Sequence, residues 1–186
     1  STWRRWLVDD QRFADGRPDV LSYSSAPLDK PLTLSGAPVA HLFASTTGTD
    51  GDFVVKLIDV FPDDVPDQPE LGGYELPIGM DILRGRYRSD PAHPSAIPAG
   101  QVQQYTIRLP NVNYVVMPGH RLMVQVQSSW FPLYDRNPQT FVPNIFFARP
   151  EDFRKATVTV MHAPDAASAI ELPVVAADDG TVMAGG

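Results

Sequence analysis

Nineteen of the 186 residues are proline, from Pro18 to Pro173, about twice the usual share of roughly 5%. Each proline removes a backbone donor and fixes φ, so this density disfavours long helices and uninterrupted central strands. What it leaves is a set of short strands joined by stiff turns. With 43% apolar residues, the chain can still bury a substantial core.

Period-two alternation supports that reading. Residues 38–45 put Val39, His41 and Phe43 on one face, and Ala40, Leu42 and Ala44 on the other. Residues 53–61 are almost entirely apolar, as expected of a strand covered on both sides. Lys56 is the exception there, which places it near an edge or beside a carboxylate. Residues 80–88 alternate weakly and residues 102–109 clearly. In 121–128, Leu122, Val124 and Val126 point inward, with Arg121, Gln125 and Gln127 outward. Residues 156–162 set Val158 and Val160 against Thr157 and Thr159. Shorter strands are predicted at 20–24, 32–36, 112–116 and 169–174.

No window has a helical period; residues 149–154 can form a single turn beginning at Pro150. Two proline-rich stretches, 62–79 and 89–100, read as long irregular connections. The predicted fold class is all-β, a jelly-roll β-sandwich with long Pro-rich loops. It forms one domain over 1–186, with 1–19 as an N-terminal strap and 176–186 as a tail.

Charge and composition exclude several functions. Fifteen basic against 22 acidic residues give a formal charge of −7. The basic residues are scattered singles, so a nucleic-acid partner is not expected. There is no cysteine, hence no disulfide and no thiolate metal site. No apolar run nears the roughly 20 residues that span a bilayer, so no membrane partner is expected. The start, STWRRWLVDDQRF, lacks the apolar core of a signal peptide and reads as the beginning of a piece of something longer.

Candidate chemistry is sparse. A serine nucleophile of the α/β type needs a G-x-S-x-G turn, and no serine has it. The four histidines, His41, His93, His120 and His162, show neither H-x-H nor H-E-x-x-H spacing. No catalytic residue, metal ligand or cofactor is therefore assigned. Asp50-Gly-Asp52 and Asp63-Asp64 could offer oxygens to calcium, but Asp-Gly is equally a turn signal. Trp3, Trp6, Trp130, Phe131 and Tyr134 lie outside the strand interiors. Aromatics so placed either seal a contact between domains or form a sugar-binding platform. Trp130, Tyr134, Asp135, Arg136 and Asn137 are the candidate contact residues. Asp135, Arg136 and Asn137 can also lock their loop through charge-assisted hydrogen bonds.

Several motifs in one order resemble a known family. They are residues 3–13 (WRRWLVDDQRF), 16–23 (GRPDVLSY), 26–28 (APL), 34–36 (LSG), 51–61 (GDFVVKLIDVF), 82–88 (ILRGRYR), 118–122 (PGHRL) and 134–138 (YDRNP). They resemble the C-terminal, non-catalytic jelly roll of the X-Pro dipeptidyl-peptidase, cocaine esterase and α-amino acid ester hydrolase superfamily of serine hydrolases. That jelly roll is galactose-binding-domain-like. Residues 72–77 (GGYELP) and 143–147 (PNIFF) are most like the α-amino acid ester hydrolases. The resemblance implies a parent with an α/β-hydrolase domain and a helical cap, both partners of this domain. It places the Ser-His-Asp triad upstream, outside this sequence. It implies hydrolysis of acyl esters or amides, including α-amino acid esters or β-lactams, a periplasmic or secreted location, and leaves a homo-oligomer open. The rival from another class is a free-standing carbohydrate-binding jelly roll. A cupin-like metalloenzyme fails on histidine spacing.

Overall fold

The computed structural model describes residues 6–175. The expected tail at 176–186, Trp3 and the start of the strap lie outside them. Among the described residues there are ten strands, with only short 3-10 turns between them. They are β1 (Val20–Ser24), β2 (Leu32–Gly36), β3 (Val39–Thr46), β4 (Asp52–Val60) and β5 (Glu75–Arg84). After them come β6 (Gln103–Arg108), β7 (Val112–Val116), β8 (Arg121–Gln127), β9 (Val158–Val160) and β10 (Ala169–Glu171).

One sheet runs β1-β8-β4-β5, a second β10-β3-β6 with β9 also on β3, and β2 with β7 forms a ribbon. Each of these strand pairs is antiparallel. The core lies between the sheets, where Phe53, Val55 and Leu57 of β4 meet Ala40, Leu42 and Ala44 of β3 and Tyr105 and Ile107 of β6. The ring of Tyr105 packs on that of Phe53, with centroids 4.0 Å apart. This is the β-sandwich that the alternation predicts.

Three expectations are corrected. Strand β5 begins at Glu75, inside the stretch read as irregular. Pro77 is tolerated there because β5 is the sheet edge and the register shifts between Leu57 and Ile58 opposite it; bulges and edges are where a strand accepts proline. Gln125 and Gln127 do not face solvent but are buried. Residues 11–15 lie over the outer face of that sheet, and Asp15 accepts a hydrogen bond from Gln125 Nε2. Lys56 is neither at an edge nor paired with a carboxylate. It sits on the interior strand β4, 2% exposed, and donates to Gln11 Oε1 at 2.5 Å.

The same covering explains why β4 is buried over its whole length up to Asp59. Its inner residues meet the second sheet. Its outer residues, Val54, Lys56 and Ile58, lie on the face that the N-terminal segment covers.

Candidate functional site

The loop between β8 and β9 carries the predicted contact residues, and the sandwich holds it at several points. Asp135 accepts from Arg84 Nη2 at 2.6 Å. Asn137 Nδ2 donates to Asp52 at 2.8 Å, and Asn137 Oδ1 receives the Gln139 amide at 2.9 Å. Burial is the first cause lifting the Asp52 carboxyl to about 6, opposed by the Asn137 hydrogen bond. Further on, Arg86 forms a buried ion pair with Asp50 at 2.6 Å and donates to the Val142 carbonyl at 2.9 Å. The ring of Phe141 lies 4.7 Å from the Arg86 guanidinium. The Phe131–Pro132 peptide is cis.

Held this way, the loop presents aromatic side chains. Trp130 packs against Trp6 (centroids 5.6 Å) and stacks on Tyr134 (5.8 Å). Arg84 lies over Tyr134, and Arg136 over Phe131. Phe131 is 63% exposed, Phe146 75% and Phe147 74%. A cleft of 430 Å³ separates Phe146 from Arg84 and Asp135, and on its far side Arg84 links Asp135 to Tyr134. A second cleft, of 360 Å³, separates Trp130 and Tyr134 from Pro77 to Asp81 of β5.

Of the predicted contact residues, Trp130, Tyr134, Asp135 and Arg136 therefore sit on the outward ridge. Asn137 is buried and acts inside the loop. Leu7 and Arg84 join the ridge, with Phe146 and Phe147 across the cleft, without having been singled out. The adjacent phenylalanines in PNIFF were the available signal, since two neighbouring exposed rings make a contiguous apolar patch rather than scattered single residues.

Under the N-terminal segment lies a polar layer. Two carboxylates converge on Gln125 Nε2: Asp15 Oδ1 at 3.0 Å and Glu75 Oε2 at 3.3 Å. Burial first, then the hydrogen bond and charge of Asp15, lift the Glu75 carboxyl to about 8. Burial first, then the charge of Arg17, lower the Lys56 ammonium to about 8. The segment is fastened further by Arg12 to the Gly72 carbonyl and by Tyr74 to the Val8 carbonyl.

Sequence spacing offers no histidine pairing, but the fold gives each one a partner. His41 meets Glu171 at 3.0 Å, His93 meets Asp90 at 2.8 Å and His162 meets Tyr23 Oη at 3.2 Å. Asp59 is buried and binds both His120 Nδ1 at 2.8 Å and Tyr114 Oη at 2.7 Å. Among the described residues no serine hydroxyl is hydrogen-bonded to an imidazole. The hydroxyl on His162 is a phenol whose ionisation burial makes harder. Asp50 and Asp52, weighed as calcium ligands, are taken by Arg86 and Asn137. No group of three or more His, Asp or Glu that could hold a metal occurs among the described residues.

Comparisons agree with this architecture. Residues 1–171 match the family described as the X-Pro dipeptidyl-peptidase C-terminal non-catalytic domain. The chain is 38% identical over 168 residues to the cocaine esterase of Rhodococcus sp. (strain MB1 Bresler), spanning 89% of this chain and 27% of that protein. It superposes on an aminopeptidase from a marine sediment Thaumarchaeota archaeon with TM-score 0.92 and 56% identity, covering 95% of this chain and 29% of that one. An α-amino acid ester hydrolase gives TM-score 0.92 and 55% identity, covering 94% and 28%. The chain thus spans less than a third of the length of these relatives.

Proposed function

Because the chain belongs to the X-Pro dipeptidyl-peptidase C-terminal non-catalytic domain family, we propose that it braces the α/β-hydrolase part of a larger serine hydrolase. The reactive serine, histidine and aspartate belong to that other part. The parent cleaves acyl esters or amides, with α-amino acid esters or β-lactams as the substrate class. The observation that carries the reading is the aromatic ridge from Trp6 through Trp130 to Tyr134, with the exposed Phe146 and Phe147 across a cleft from it. It is large, apolar and aromatic, and ion pairs and hydrogen bonds to Arg84 and Asp52 hold its loop in place. A prearranged aromatic surface of this kind suits a partner domain, since anchors that are ordered in advance lose little entropy on docking. Trp130 already packs against two rings, which favours docking over sugar stacking.

Replacing Tyr134 or Arg136 with alanine in the full-length hydrolase tests this. Thermal inactivation of ester hydrolysis is expected to move to lower temperature, with about 2 kcal/mol of docking energy lost at an aromatic anchor. Melting of the isolated 186-residue chain should change much less. Unchanged inactivation of the full-length variants would refute the bracing role.

A further inference from the structure

Beneath the strap lies a cleft of 210 Å³ lined by Gln11, Phe13, Arg17, Lys56, Trp130 and Phe131, among others. Its chemistry is unlike that of the surrounding ridge. Lys56 Nζ lies between Gln11 Oε1 at 2.5 Å and the ring of Phe13 at 5.5 Å, all three residues being part of the wall. An ammonium carries three donors, and Gln11 takes one. No carboxylate lies within ion-pair distance of it among the described residues. The one carboxyl whose charge favours the ammonium, Glu75, does not reach ion-pair distance, and a buried cation so weakly answered is held at an energetic cost that an anion would relieve.

The neighbouring charges define which anion. Arg17 on the rim is tied to Asp19 at 2.6 Å, yet its charge still acts on Lys56, so it adds to the pull on an anion. Asp9 also lines the cleft and opposes a multiply charged ligand. The walls include the rings of Phe13, Trp6, Trp130 and Phe131; Trp130 is already packed against Trp6 and Tyr134, so it borders the cleft as an apolar wall rather than as a free stacking face. A cavity of about 150 Å³ suffices for benzene, so this one holds one ring and a small polar group.

We propose that this cleft is a binding site for a small single-ring aromatic monocarboxylate, with the carboxylate on Lys56 Nζ and the ring among Phe13, Trp130 and Phe131. The lining residues named here all lie among the described residues, and the proposal does not rest on domain docking. It adds a ligand-binding role to a domain of a non-catalytic family. The lowered pKa of Lys56 still leaves the ammonium predominantly charged at neutral pH.

The test is an NMR titration of the 186-residue chain with phenylacetate, with phenylacetamide as the uncharged isostere. Phenylacetate is expected to give saturable shifts at the Gln11 and Gln127 side-chain amides and the Trp130 indole. A charge-assisted hydrogen bond implies binding roughly tenfold or more tighter than the amide. Lys56→Met should remove that preference. Phe13→Ala, at a ring 63% exposed, should weaken binding severalfold with the fold intact, which covers the case in which Lys56→Met fails to fold. Equal binding of acid and amide, or acid binding unaffected by Lys56→Met or Phe13→Ala, would overturn the proposal and mark the cleft as plain docking surface. So would the absence of saturable shifts.

Discussion

Arg86→Ala is expected to lower the unfolding free energy by about 3–5 kcal/mol, the usual loss when one member of a buried ion pair is removed. Arg86 is 3% exposed and Asp50 is fully buried. Alanine would leave the Asp50 carboxylate in the interior with no counter-charge. It would also release the Val142 carbonyl and the face of Phe141. Both lie in the loop that carries the aromatic ridge, so the damage reaches the proposed docking surface as well as the core. Urea denaturation measures the loss. Replacing the pair together, Asp50→Leu with Arg86→Met, should recover much of it, because a buried pair exchanged for packed apolar groups is often neutral. A loss under about 1 kcal/mol in Arg86→Ala would mean that water reaches Asp50.

Stability is expected to pass through a minimum near pH 8. Glu75 titrates at about 8 in the fold against 4.5 ordinarily. Its raised value favours the folded state fully below pH 4.5, and that contribution is lost as pH rises toward 8. Lys56 titrates at about 8 against 10.5. Its lowered value gives a contribution that is present above pH 10.5 and lost as pH falls toward 8. The two slopes are opposite and meet near pH 8. The depth relative to pH 5 is on the order of 3 kcal/mol, because a tenfold change in proton affinity between the folded and unfolded chain is worth about 1.4 kcal/mol and the groups share neighbours. Glu75→Gln should flatten the acid limb between about pH 6 and pH 8, the fall below pH 6 being shared with the raised Asp52 carboxyl, and Lys56→Met should flatten the alkaline limb. Denaturation at a series of pH values checks this; stability rising steadily from pH 5 to pH 8 would contradict it.

Much of the fold was legible because alternation and turn residues agree. Strands β1, β2 and β7 begin and end where the sequence places them. The failures share one cause, which is contact between residues distant along the chain. Gln125 and Gln127 read as solvent-facing because they are polar, yet a segment more than 100 residues earlier covers them. The same segment explains Lys56, whose partner Gln11 lies 45 residues away. The Asp59, His120 and Tyr114 cluster was invisible for the same reason, because only the pairing of β4 with β8 brings Asp59 opposite Leu122. The start of strand β5 was hidden because it falls in the proline-rich stretch 62–79, whereas the shifted register at the sheet edge admits Pro77.

At the candidate site, the loop residues were legible as a group but not in their separate roles. Arg136 is exposed and Tyr134 half-buried against Trp130, whereas Asn137 turns in to Asp52 and Asp135 reaches back to Arg84. Residue type alone does not separate these roles, since all of them are polar or aromatic and adjacent. The partners Asp52 and Arg84 sit on β4 and β5, and only the sheet fixes which loop residues they meet.

Hydrogen–deuterium exchange over residues 128–136, compared between this chain alone and the full-length hydrolase, tests the docking account most directly. The amides around Trp130 and Tyr134 are expected to exchange markedly more slowly in the longer protein, where the ridge would be covered. Identical exchange in the two would show the ridge open to water in both, and would contradict the account.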